Sequence, residues 1–120
     1  MEAHLSDQET IFQQIIDMAG YDAAMTLALN AGGCRVYIPK LSPNSDLERL
    51  VGIDFAAAIS RAAPSAYFEV PLANERLLFW LEKKGWSQNQ IARRLRLARR
   101  TVQYHLTNTV HDFPAAGDHL

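Results

Sequence analysis

Between Ile91 and Leu106 the apolar residues are spaced so that few folds can use them: Ile91, Ala92, Leu95, Leu97, Val102 and Leu106. Ile91 and Leu95 lie one helical turn apart, as do Val102 and Leu106, so each pair shares one face of a helix. Ser87 and Gln90 have the S-x-x-Q spacing of a capping box, which starts the first of these helices. It is expected to end near Leu95, turn at Arg96-Leu97-Ala98, and resume as a second helix from about Arg99 to Thr109. Two short helices that pack through these positions, with small Ala92 where they cross and Leu97 plugging the turn, form a helix-turn-helix. Two residues work against the turn. The position of Arg96 requires a left-handed backbone, which costs a side chain roughly 1–2 kcal/mol. Ala98 stands where Ser or Thr would cap the second helix, a loss of about 1 kcal/mol.

Once those residues are spent on packing, Ala98, Arg99, Arg100, Gln103, Tyr104 and Thr107 are left to point outwards. Residues 88–106 hold five arginines and no acid, in a chain whose formal net charge is −1. With Lys83 and Lys84, the segment 83–106 carries seven basic residues, while the rest of the chain has five basic and thirteen acidic ones. Like charges at helical spacing repel by roughly 0.2–0.5 kcal/mol per pair, so the cluster needs a counter-charge. A solvated helix face usually mixes signs; an unmixed one suits a polyanion. The expected contacts sort into two classes. Arg99, Arg100 and Gln103, with Tyr104 beside them, are assigned to base edges, where Arg pairs with guanine and Gln with adenine for about 1–3 kcal/mol of discrimination. Lys83, Lys84, Arg93, Arg94, Arg96 and Thr107 are assigned to phosphates, which set affinity and register without reading sequence.

Upstream the pattern changes. Ser6 and Glu9 have capping-box spacing and open a helix with the stripe Ile11, Phe12, Ile15, Ile16 and Ala19, which Gly20 can close in the left-handed conformation. A second helix over about Asp22–Ala31 carries Ala24, Leu27, Ala28 and Ala31 on one side and stops at Gly32-Gly33. Residues 34–38, CRVYI, read as a strand ended by Pro39, with Cys34 a small buried hydrophobe; KLSPNS comes next as a connector. From Asp46 the plan repeats at an offset of 32: Gly20 falls on Gly52, Asp22 on Asp54, Ala24 on Ala56, Ala31 on Ala63 and Pro39 on Pro71. Residues 66–70, AYFEV, are then the second strand, and Asp22 and Asp54 the two helix caps.

The resulting fold class is mainly α with short β-strands: a duplicated helix–strand region over 1–72, a helix-turn-helix over 73–110 and a tail over 111–120. In the second region Asn74 caps a helix that buries Leu77, Leu78, Trp80 and Leu81 and ends at Gly85, with Trp80 and Trp86 fastening it to the helix pair. Two five-residue strands are marginal alone and leave open edges, so a second identical chain is expected to supply the neighbour across a two-fold axis. The dimer surface would then comprise Ile15, Ile16, Val36, Tyr37, Ile38, Phe68 and Val70. The alternative is a monomer whose two strands pair with each other.

These residues resemble the Mor/C family of phage middle and late transcription activators. The resemblance is carried by Gly20 with its alanine-rich helix, by GGCRVYIPK at 32–40, and by IARRLRLARRTV at 91–102, and it covers about residues 8–108. It implies a homodimer built from the N-terminal helix–strand region, a DNA-binding helix-turn-helix from each subunit on two half-sites, and activation of a phage promoter by contact with host RNA polymerase. It also implies that Gly32-Gly33 lies near the DNA backbone, with Lys40 able to touch phosphate. The family often has glycine in the turn where this chain has Arg96.

Other chemistry finds little support. Gly32-Gly33 is followed by no Lys-Ser/Thr, so a helix stop before a strand is expected there rather than a phosphate cradle. His4, His105, His111 and His119 are scattered, and Cys34 is the single cysteine, so neither a zinc site nor a disulfide framework is expected. His105 is expected to face solvent or a phosphate. No catalytic arrangement stands out, and no enzyme activity, cofactor or metal is expected. No apolar run nears the ~18–20 residues of a membrane helix, and MEAHLSDQET lacks the start of a secretion signal, so the cytoplasm is expected, that of the host cell for a phage product. A repressor, a recombination-associated DNA-binding protein and a protein-interaction module are the rival readings.

Overall fold

The computed structural model describes residues 3–41 and 43–112, with side chains described for 10–41 and 43–107. The protein is mainly helical, with a small two-stranded antiparallel sheet. It divides after Ala73 into two compact units, Met1–Ala73 and Asn74–Leu120.

In the first unit the order is α1 (Ala3–Ala19), α2 (Tyr21–Ala31), β1 (Arg35–Ile38), α3 (Asp46–Val51), α4 (Ile53–Ala62) and β2 (Ala66–Glu69). Because α1 already begins at Ala3, Ser6 lies inside it rather than ahead of it, and the Ser6–Glu9 pair lies outside the described side chains. One glycine separates the helices of each pair. Gly20, between α1 and α2, has φ 103° and ψ 155°; Gly52, between α3 and α4, has φ 92° and ψ 166°. This region is essentially glycine-only, and it is not the left-handed helical conformation expected of Gly20. The same residues are the N-caps of α2 and α4, so Asp22 and Asp54 are not caps: they sit in the first turns, where a carboxylate complements the helix dipole. Ser45 supplies a side-chain cap that the connector concealed, its Oγ accepting the Glu48 N–H at 3.1 Å. Gly32 ends α2, where a Cβ would meet the Ala28 carbonyl oxygen at 2.6 Å.

β1 and β2 pair with each other, Arg35 opposite Glu69, Val36 opposite Phe68, Tyr37 opposite Tyr67 and Ile38 opposite Ala66. The strand neighbour thus comes from the same chain rather than from a second copy. Strand alternation sends Ile38 and Phe68 into a core with Phe12, Ile15, Leu27, Leu47, Ile59 and Val70, all buried. Each large side chain buried there stabilises the unit by about 1.5–3 kcal/mol. Of the residues expected at a dimer surface, Ile15, Ile38, Phe68 and Val70 are therefore interior; Ile16 and Val36 are half-buried, and only Tyr37 is exposed. Cys34, expected inside, is also exposed, because the strand begins one residue later and Cys34 stays in the turn after Gly33.

Among the described residues the second unit has three helices, α5 (Asn74–Lys83), α6 (Gln88–Leu95) and α7 (Arg99–Asp112), each packed on the other two. Leu77, Leu78 and Leu81 of α5, Ile91 and Ala92 of α6 and Val102 of α7 form its core. Trp80, expected with them, is half-buried, its ring 4.8 Å from the Lys84 ammonium. Gly85, at φ 96°, ends α5 in a Schellman arrangement: its N–H donates to the Glu82 carbonyl at 3.0 Å and the Trp86 N–H to that of Leu81 at 3.1 Å. The expected tail lies mostly outside the described residues, though α7 runs on to Asp112. Among the described residues no helix is long and apolar enough to cross a membrane.

Candidate nucleic-acid interface

The start and stop of α6 are both fixed by short-range chemistry. Ser87 Oγ accepts the Gln90 N–H at 3.1 Å, and the Gln90 side chain accepts the Ser87 N–H at 2.9 Å, a complete capping box. At the other end Arg96 takes φ 59° and ψ 45°, the left-handed conformation that the turn requires. The Leu97 N–H then closes on the Ala92 carbonyl at 2.9 Å, and the chain re-enters a helix with Val102 N–H bonded to the Ala98 carbonyl at 3.1 Å.

This turn sets which face of α7 looks outward. Val102 is fully buried, and Thr101, His105 and Leu106 beside it are half-buried. Arg99, Arg100, Gln103, Tyr104 and Thr107 are exposed, at the i, i+1, i+4, i+5 and i+8 spacing of a single helical face. These are the outward-pointing residues assigned to bases, together with Thr107. His105 is not among them: it is half-buried, with Nδ1 3.9 Å from Glu75 Oε2, so α7 uses it against α5.

The residues assigned to phosphates are also at the surface. Lys83, Lys84, Arg93, Arg94 and Arg96 are all exposed in this unit, and Lys40 is exposed in the first one. Among the described residues Arg93, Arg96, Arg99 and Arg100 have no acidic partner, so their charge is not neutralised within the fold.

One feature of this surface goes beyond the sequence expectations. Trp86, Gln90, Arg93, Arg94 and Arg96 line an open groove of about 450 Å³. Trp86, expected only to fasten α5 to the helix pair, is half-buried and forms part of the groove wall. The signal that could have found it is spacing: Gln90, Arg93 and Arg94 fall at i, i+3 and i+4 on α6, with Trp86 just before its cap. A groove lined by one tryptophan and three arginines can meet an anionic ligand, since arginine bonds phosphate oxygens and the indole offers an apolar surface. Among the described residues no group of three His, Cys, Asp or Glu side chains could hold a metal ion.

No protein-family model, no curated protein and no solved structure matches this chain.

Proposed function

We propose that this protein is a sequence-specific double-stranded DNA-binding regulator of transcription, an activator of the phage type that the Mor/C resemblance implies. The single observation that carries this is the outward face of α7, where Arg99, Arg100, Gln103, Tyr104 and Thr107 stand together and exposed while Val102 is buried behind them. Side chains able to bond bases occupy the N-terminal half of the helix, as a recognition helix needs. The unneutralised guanidinium groups of Arg93 and Arg96 on and after α6 supply the phosphate-facing charge. On this reading α6 and α7 are a helix-turn-helix with α7 in the major groove, and the first unit is a duplicated helix–strand region with Lys40 exposed to meet phosphate. Contact with host RNA polymerase, activity in the cytoplasm and the absence of catalysis belong to the same proposal.

The test is selection of bound duplexes from a random DNA pool by the full chain, then binding of the enriched duplex across a salt series. A recovered consensus and a steep fall in affinity with salt are expected. Binding to random and enriched duplex that is equally weak and insensitive to salt would favour a protein-interaction module instead.

A further inference from the structure

The two strands of the ribbon are paired in a register that the repeat in the sequence makes symmetric. Moving each residue to its counterpart 32 positions away turns the pair Arg35–Glu69 into Tyr67–Tyr37, which is also a pair, and sends Val36–Phe68 onto itself. A two-fold axis relating the two repeats therefore passes through the Val36–Phe68 pair. The rest of the unit obeys the same operation. Gly20 and Gly52 share one unusual backbone conformation, and Gly33 and Ser65 both have positive φ, at 83° and 58°. Buried residues coincide in pairs: Ile15 with Leu47, Ala24 with Ala56, Leu27 with Ile59, Ala28 with Ser60, Ala31 with Ala63, and Ile38 with Val70.

The packing is also crosswise. α1 packs on α4 as α3 packs on α2, and α1 touches β2 as α3 touches β1. Each repeat thus places its first helix on the other repeat's second helix and strand. That is the self-complementary contact of an isologous dimer, in which residue i meets j and j meets i. Here both halves lie in one chain.

We infer that the first unit is a dimer core contained in a single chain, so that the protein works as a monomer and presents one α7, recognising one DNA half-site without dyad symmetry. The core residues that a second copy would have to cover are already covered by the other repeat. The DNA half of this inference rests on the proposed function; the single-chain half does not.

Two measurements on the full chain without DNA test the single-chain half. Light scattering at micromolar concentration is expected to give the mass of one chain, 13.5 kDa; a stable species of twice that mass overturns the inference. In a Cys34→Ser background, the pair Tyr37→Cys and Tyr67→Cys places two thiols directly opposite each other on the exposed face of the ribbon. Mild oxidation with a copper–phenanthroline catalyst in air is expected to give an intrachain disulfide at monomer mass. Disulfide-linked pairs of chains from dilute solution would show the strands pairing between copies and overturn it. Duplexes selected by the chain from a random pool are expected to carry one element without a dyad and to hold one chain each. Selected sites that are palindromic and hold two chains overturn the DNA half. If no duplex is selected, the proposed function fails while the mass and the disulfide still decide the single-chain core.

Discussion

The Leu97 N–H donates to the Ala92 carbonyl oxygen at 2.9 Å, and it reaches that oxygen only because Arg96 between them is left-handed. A side chain in that conformation costs roughly 1–2 kcal/mol relative to glycine. Arg96→Gly removes the strain and returns part of the gain through the greater freedom of the unfolded chain. A net stabilisation of up to about 1 kcal/mol is expected, read as a higher urea midpoint at unchanged slope. If Arg96 also meets a phosphate, the same variant binds DNA more weakly and loses about 1 from the salt slope.

Arg100→Glu and Arg99→Glu are expected to abolish specific binding, while far-ultraviolet circular dichroism and thermal midpoint stay close to those of the parent chain. Both side chains are exposed, so the fold does not depend on them. Gln103→Ala is expected to relax specificity at one base position, at a cost of about 1–3 kcal/mol against the preferred base. Unchanged affinity of all three for the selected duplex would remove α7 from the interface.

Arg93→Ala should act differently. Arg93 lines the groove with Trp86 and Gln90, on α6 rather than α7. Affinity for selected and random duplexes should fall by the same factor, and the slope of log K against log salt should become shallower by about 1. Titrations at several salt concentrations with both duplexes check this.

Ser60 offers a test of the first unit alone. Its hydroxyl is buried and has no hydrogen-bond partner among the described residues, at the position that Ala28 occupies 32 residues earlier, in α2. A buried unpaired hydroxyl costs about 1–3 kcal/mol, so Ser60→Ala is expected to stabilise the protein by about 1 kcal/mol. Ser87→Ala should do the reverse, removing the cap of α6 and costing about 1 kcal/mol. Denaturant unfolding of the two variants gives both signs.

Local chemistry made much of this protein readable from its chain. The Ser87–Gln90 box, the Gly85 stop and the apolar spacing from Ile91 to Val102 placed α6 and the start of α7, which runs three residues past the expected Thr109, and with Val102 turned inward the exposed face of α7 was set as well. Each of these is decided by residues within one or two helical turns of one another, where hydrogen-bond geometry and helical period suffice. The sequence also matches itself at an offset of 32, with Gly20 falling on Gly52 and Asp22 on Asp54. What the chain could not state was whether two matching strands meet in one molecule or two, because identical local preferences permit both pairings. Only the folded first unit decided that, by bringing β1 against β2 and burying Ile15, Ile38, Phe68 and Val70 between crossed helices. The same holds for Cys34, left outside by the start of the strand, and for Trp86, drawn beside three arginines. Partner choice over long sequence separations is set by which arrangement buries the most apolar surface, and that quantity exists only once the chain is closed on itself.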